Sequence, residues 1–500
     1  MPLLSLGADQ VNKLISTTTG SDNTITALHL DDVPSNHLQE LVELMQNYHP
    51  LKTIILFASP QSLLKERSPV LPYLISDACK LSMIVMDEIH LVTHFGMSFR
   101  KEFGALKNSL FKKVRNRNVP LLFLTATCTS RIKESLESML DMRINYVHWP
   151  SPLEMVNRNV KLNITYSTKW LHSIKQSLKS NLTGDPELPT KVIIYSNQRT
   201  KILSCADNIE TFLDGDELLC DMDVIRLVGT LHRDEKTELI NMFLDDSEGS
   251  NSLNILCATS GVGNAGIDSP NIRAVYRIDF PPSILDICQE RGRAGRRPDA
   301  TDQHYSYNLT FSLESFIHIF KRIHDKEEAV IDERYRKEQE DDLFHVAKLF
   351  SSHEVCLYVA FEQALGNPDG DQTTADPCYN CPNCSGEYIF PALNKDGVRE
   401  VLFNLLVSAD SPIRTMRTWE TVSDAMRKFP DINEKLFQRR AKNVQRVDIM
   451  KCLFILISYK ILKIEYEDGN IYIGAAKSEA SLTELAYNDD NYWSGIRLID

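Results

Sequence analysis

Apolar positions along the chain gather in short runs separated by stretches with helical spacing. Thr53 to Ala58, Leu81 to Met86 and Leu121 to Thr125 are three such runs, each flanked by helix-like pattern. That alternation predicts a parallel sheet with helices on its faces. Ser151 to Asn159 breaks the pattern and reads as a linker. The same grammar restarts at Val160 to Tyr166 and continues through Lys191 to Ser196, Asp223 to Val228, Ile255 to Thr259, Ala274 to Ile278 and His304 to Thr310. A highly charged stretch, Asp325 to Asp342, reads as a helix with a solvated face. Near the end, a helix-like run from Val447 to Ile461 leads into two β-rich runs, Leu462 to Tyr466 and Ile471 to Ile473. They flank Glu467-Asp468-Gly469-Asn470, and Asp-Gly between such runs signals a hairpin.

The 500 residues suggest about three or four domains. With 43% hydrophobic and 25% charged residues, composition points to a globular fold. No apolar stretch reaches the length of a membrane span, and the N-terminus carries no signal-peptide pattern. Most of the eleven cysteines are scattered, which argues against a disulfide framework and for an intracellular protein. The Asn-x-Thr sites at Asn163, Asn181 and Asn308 are then chance matches. The net charge of −13 disfavours a passive nucleic-acid coat, though a nucleic-acid motor needs only a local basic track.

Four stretches carry candidate chemistry. The run ending in Asp87-Glu88-Ile89-His90 delivers two carboxylates to the C-terminal end of what reads as a buried strand, where ligands sit in open α/β sheets. One carboxylate suits the magnesium of a nucleotide and the other a water; a solvated acidic turn is the plain alternative. Gln289-Glu290-Arg291-Gly292-Arg293-Ala294-Gly295-Arg296 joins tight glycine turns to guanidiniums suited to phosphate. Phe95, Phe99 and Phe103 interleave with Arg100 and Lys101, as a base-stacking loop or as the core face of a helix. Cys378, Cys381 and Cys384 form C-x-x-C-x-x-C with Cys356 upstream, a spacing that favours one tetrahedral zinc over a redox pair. Two basic clusters remain. Lys107, Lys112, Lys113, Arg115 and Arg117 read most simply as a solvated face, whereas Arg439, Arg440, Lys442 and Arg446 precede the hairpin. Tyr466 and Tyr472 suit either strand packing or a wedge at a duplex end.

With these residues in order, the chain resembles a superfamily-two helicase of the RecQ type. Pro2 to Val11 resembles motif Ia and Phe57 to Gln61, with Ser59, motif Ib; Asp87 to His90 matches motif II and Thr125 to Thr127 motif III. Val192 to Asn197 resembles motif IV, Ala258 through Gly266-Ile267-Asp268 motif V, and Gln289 to Arg296 matches motif VI. His94 to Phe103 resembles the family's aromatic-rich loop, and the four cysteines its zinc site.

The resemblance implies an α/β fold of two RecA-like parallel-sheet domains, 1–148 and 149–325, a helical zinc-binding segment, 326–390, and a winged-helix-like domain, 391–500. It implies 3′ to 5′ unwinding of DNA with ATP, Mg2+ and Zn2+, in repair, recombination or replication. The partners would be single-stranded and forked DNA and repair or replication proteins, with no membrane, in the nucleus of a eukaryote. Asp87 would hold magnesium, Glu88 activate water, and His90, Thr125 and Thr127 relay nucleotide state. Arg293 and Arg296 would meet the γ-phosphate, with Gly266, Asp268 and Gln289 beside the nucleotide. Ser59, Phe95, Phe99, Arg100, Lys101 and Asn197 would touch nucleic acid, and Cys356, Cys378, Cys381 and Cys384 would hold zinc.

The chain also departs from the family. No Gly-x-x-x-x-Gly-Lys-Ser/Thr phosphate loop occurs in it, so the first domain is expected to be incomplete, with an open apolar edge. Ile89 replaces the usual alanine, and Phe95 the usual tryptophan. A fragment or degenerate helicase acting as a non-catalytic DNA-binding protein is the alternative.

Overall fold

The computed structural model describes residues 11, 25–47, 53–89, 102, 104–125, 130–145, 160–182, 191–217, 219–220, 222–245, 253–260, 267, 269–296, 305–325, 333–353, 355–365, 378, 380–402, 404, 417–437 and 445–475. The expected linker at 151–159 lies outside them.

Six strands dominate the molecule: β5 (Val160–Tyr166), β6 (Lys191–Ser196), β7 (Asp223–Leu227), β8 (Leu253–Thr259), β9 (Ile272–Arg277) and β10 (Tyr305–Phe311). They form one sheet in the order β5-β10-β9-β6-β8-β7, every pair parallel. The central strand shows why these runs become strands. Val192 and Ile194 point into one apolar cluster and Ile193 and Tyr195 into another, so both faces are covered. A parallel strand covered on both faces has no polar side, which is why β6 reads as an unbroken apolar run. The helix Arg199–Asp214 covers one face through Ile202, Cys205, Ala206, Ile209 and Leu213, at helical spacing. At the sheet's far side, the Asn163 and Asn308 side chains hydrogen-bond to each other at 2.8 Å across β5 and β10.

The N-terminal part holds two smaller parallel pairs, β1 (Ile25–His29) with β2 (Thr53–Phe57) and β3 (Ile84–Met86) with β4 (Leu121–Phe123). The periodicity does not announce β1. The expectation that the strand before Asp87 is buried needs correction: Val85 is 50% and Met83 48% exposed. The reason is that β4 is the sole partner of β3 among the described residues, so half of that short pair lacks cover. Leu124, also exposed, extends the same apolar surface.

The charged stretch after the six-stranded sheet contributes to the helix Glu333–Ser351, followed by Leu357–Ala364 and Pro382–Ser385. Beyond them, the helix Arg446–Ser458 is buried from Ile449 onward except at the half-buried Lys451. Its Phe454 stacks on Phe390 with ring centroids 5.3 Å apart and meets Phe280, Phe311 and Phe316 at 5.3–5.7 Å. This aromatic cluster keys the C-terminal helices onto the six-stranded sheet. The hairpin forms as predicted from β12 (Leu462–Glu467) and β13 (Asn470–Ala475), with β11 (Arg417–Thr418) completing an antiparallel sheet. Asp468 and Gly469 have φ of 48° and 79°, the left-handed pair that a two-residue turn matched to strand twist requires. No helix among the described residues is long and apolar enough to cross a membrane.

Phe454→Ala should cost about 3–5 kcal/mol of stability, the range for emptying a buried aromatic site. A denaturant melt showing less than about 1 kcal/mol of change would mean that the cluster does not join the C-terminal helices to the sheet.

Candidate functional site

Strand β3 ends at Met86, and the next two residues are Asp87 and Glu88. The pair sits at the C-terminal end of the strand, where the sequence placed it. Glu88 has φ of 52°, a left-handed conformation uncommon outside glycine, and its amide donates to Asp87 Oδ1 at 2.9 Å. The neighbouring Ile89 amide donates to the Leu124 carbonyl at 3.1 Å, which ties the turn to β4. Thr125 follows on the adjacent strand end. Such strained turns persist where the surroundings hold them, and they cluster at functional sites. Burial raises the Glu88 carboxyl above its ordinary range; Asp87 raises it further, and Arg293 pulls it back.

Arg293 is held in a defined place. The helix Ile284–Arg291 is capped by the Ser283 hydroxyl, which accepts from the Asp286 amide. It then turns through Gly292, where a Cβ would come within 3.0 Å of the Cys288 carbonyl, and Gly295, at φ of 72°. Arg293, 6% exposed, donates Nη1 to the Ile267 carbonyl at 2.8 Å. Its Nε, also buried, has no acceptor among the described residues. A buried donor without an acceptor among the described residues fits an anionic ligand. Arg296 is exposed, and its Nε donates to the Gly292 carbonyl at 2.9 Å. Gln289 is half-buried on the last turn of the helix.

Sequence reasoning missed the network behind this loop. Arg277, with no exposed surface, pairs with the Glu290 carboxylate and with Asp279 Oδ1 at 3.1 Å, and donates to the Ser260 hydroxyl at 3.2 Å. Asp279 accepts from the Ser196 hydroxyl at 2.7 Å and the Asn197 amide at 2.6 Å, and Glu290 accepts from the Tyr307 hydroxyl at 2.9 Å. Burial works against the Arg277 charge, but Glu290 and Asp279 more than offset it and hold its pKa above the ordinary value. Burial pushes the Glu290 carboxyl up to about 7, with Arg277 opposing. The one available signal was a charged residue closing the apolar run of β9.

Of the residues expected to touch nucleic acid, Ser59 is buried. Its hydroxyl donates to Asp31 Oδ1 at 2.5 Å and accepts from the Ser62 amide at 3.1 Å, capping the helix Pro60–Leu63. Asn197 donates its side-chain amide to the Phe280 carbonyl at 3.0 Å. His90, Phe95, Phe99, Arg100, Lys101, Thr127, Gly266 and Asp268 lie outside the described residues.

The four cysteines do converge. The sulfurs of Cys356, Cys378, Cys381 and Cys384 all lie within 4.8 Å of one another, with Cys356 and Cys381 at 4.0 Å. Four thiols at this separation match the donor set of a closed tetrahedral zinc site. The segment is tied to the edge of the six-stranded sheet. The Leu162 amide on β5 donates to the Asn380 carbonyl at 2.8 Å, and the Tyr358 hydroxyl donates to the Val160 carbonyl. The Arg291 guanidinium lies 4.5 Å from the centre of the Tyr358 ring, a cation–π contact joining the cysteine segment to the arginine-bearing helix.

Comparison with known proteins finds helicase relatives. Residues 174–298 match the family model "Helicase conserved C-terminal domain". The chain is 25% identical over 320 residues to ATP-dependent DNA helicase Q-like 4B of Arabidopsis thaliana, covering 64% of this chain and 25% of that protein. It is 26% identical to ATP-dependent DNA helicase RecQ of Pasteurella multocida, covering 59% and 41%, and 25% identical to ATP-dependent helicase SGS1 of Saccharomyces cerevisiae, covering 78% and 25%. A protein of Acanthamoeba polyphaga mimivirus, named for RNA rather than DNA unwinding, is 25% identical, covering 77% and 61%. The chain therefore spans between a quarter and about three fifths of these relatives. The helicase model and this set of relatives show a likeness to the RecQ-like helicases of superfamily two.

Proposed function

We propose that the chain serves ATP-dependent unwinding of DNA, 3′ to 5′, in the manner of RecQ-type helicases, on single-stranded and forked substrates during repair, recombination or replication. One observation carries the reading: Asp87 and Glu88 sit at a strand end, and Arg293, on the loop after the helix Ile284–Arg291, keeps a buried Nε with no acceptor among the described residues. In this reading, Asp87 holds Mg2+ and Glu88 takes the proton of the attacking water. Arg293 and Arg296 meet the transferring phosphate, where such an arginine is worth about 10³–10⁵ in rate. Gln289, Gly266 and Asp268 flank the nucleotide, and His90, Thr125 and Thr127 pass its state to Phe95, Phe99, Arg100 and Lys101. Ser59 contributes through the turn that it caps, since its hydroxyl is engaged with Asp31. Asn197, fixed by Asp279, presents the opposite side of the nucleic-acid path. Cys356, Cys378, Cys381 and Cys384 bind zinc, which supplies a rigid clasp on the edge of β5. The helices and hairpin after residue 391 act as a winged-helix reader of duplex DNA, and in a eukaryotic source the protein works in the nucleus.

A second reading is a DNA-binding protein without a motor. The 500-residue chain decides between the two when given forked DNA and ATP. DNA-stimulated hydrolysis supports the motor; binding of the fork without hydrolysis supports the second reading.

If hydrolysis occurs, Glu88→Gln should lower the rate by about 10²-fold or more, and Arg293→Ala by about 10³-fold. A residual rate within about threefold of the parent would remove either residue from the mechanism. The raised Glu88 pKa also has a sign. The base form of Glu88 is lost as pH falls through that value, so the acid limb of the pH–rate profile should lie above the ordinary glutamate range near about 4.3. An acid limb at or below that range would exclude Glu88 as the base.

Metal analysis of the purified protein should find stoichiometric zinc. Cys381→Ser should lose it and lower the melting temperature, because the ligands help fold a segment too small to hold a core. Zinc-free protein, or Cys381→Ser with unchanged metal and stability, would refute the zinc site.

A further inference from the structure

The basic stretch between Lys107 and Arg115 changes meaning once its backbone is seen. Residues Lys107–Phe111 form a π-helical turn, and Lys112–Arg115 continue as α-helix. In an unbroken α-helix that buries Leu106 and Leu110, the next positions on the core face are 113, 114 and 117. The π turn inserts one residue into that period. Phe111 therefore joins Val114 on the core face, at 2% and 0% exposure, and Lys113 swings out to join Lys112 and Arg115 in solvent. None of the three cations forms an ion pair with a described residue. The helix is anchored at both ends. Before it, the Gln61 side-chain amide donates to Glu102, which joins the helix to the turn capped by Ser59. After it, the Arg117 guanidinium donates to the carbonyls of Leu74 and Cys79.

We propose that Lys112, Lys113 and Arg115 form a sequence-independent contact for the phosphate backbone of nucleic acid, extending the path that passes the Ser59 turn. This inference rests on the nucleic-acid reading above and adds a contact outside the helicase motifs. The warrant is charge complementarity on a rigid support. In a chain of net charge −13, three cations without an ion pair among the described residues, gathered by a backbone irregularity, suit a polyanion, and the link through Gln61 and Glu102 ties the start of their segment to the Ser59 turn. The contact neutralises phosphates without reading bases, because none of the three side chains is set by a partner into a base-reading geometry.

The test is the variant Lys112→Glu/Lys113→Glu/Arg115→Glu in the 500-residue chain, titrated by fluorescence anisotropy against a single-stranded oligonucleotide and a forked duplex over a series of salt concentrations. The expected result is a dissociation constant for single strands raised by about tenfold or more at low salt. The slope of log affinity against log salt should fall by about 2, since each single-strand phosphate contact contributes about 0.7. The slope separates local contacts from a change in overall charge. Because acids in a helix's last turn oppose its dipole, a variant with glutamine at the same three positions accompanies it. The glutamine variant keeps the parent's melting temperature and should show the same loss of slope with a smaller loss of affinity. A parent that binds DNA beside variants with unchanged slope overturns this contact and leaves the nucleic-acid reading intact. A parent that binds neither oligonucleotide overturns both.

Discussion

The structure around the site depends on one buried charge. Arg277 has no access to water, and an unpaired guanidinium there would cost several kcal/mol. It is tolerated because Glu290, Asp279 and Ser260 surround it. Those partners belong to different parts of the chain: Asp279 fixes the end of β6 at Ser196 and Asn197, and Glu290 belongs to the helix leading to Arg293. The segment facing the proposed nucleic-acid path and the loop that carries Arg293 are therefore attached to the same cation. Neither can shift far without uncovering the charge that holds the other. Tyr307 closes the arrangement from β10, so three neighbouring strands of the sheet share it.

This attachment differs in kind from the apolar packing elsewhere. The two faces of the six-stranded sheet are covered by ordinary core residues, which set the architecture but tolerate exchange of similar volume. The ion network is directional and admits few arrangements. Precision at the site thus comes from the polar interior, while the mass of the fold comes from the apolar one.

Much of the architecture was legible because its determinants are local. The strands of the large sheet agree with the expected runs to within two residues, since β6 is a continuous apolar segment covered on both faces and β5 alternates apolar and polar residues. The hairpin was legible from Asp468-Gly469 alone. The strand β1 was not, because Ile25-Thr26-Ala27-Leu28-His29 is too short and mixed to stand out from its surroundings. Site residues divide the same way. Asp87 and Glu88 follow an apolar run, and the cysteines have a spacing, so both could be placed in advance. Arg277 with Glu290 and Asp279 with Asn197 are pairings of distant positions that no periodicity encodes. The π turn at Lys107 is set by packing of Leu110 and Phe111 against the core, which the residue order alone does not reveal.

The hydrogen bond from Leu162 to Asn380 has a consequence for how the molecule can be divided. Strand β5 is the last strand on its side of the sheet, and the cysteine segment occupies the backbone groups that an edge strand would otherwise offer to a stranger. A fragment ending where the large sheet ends, near residue 325, would keep every strand and yet expose an adhesive margin along Val160 to Leu162. It would also strip the Phe280 and Phe311 rings of the Phe454 helix. Such a fragment would offer that margin to edge-to-edge pairing, so a piece that keeps the sheet covered reaches through the cysteines to the helix Arg446–Ser458.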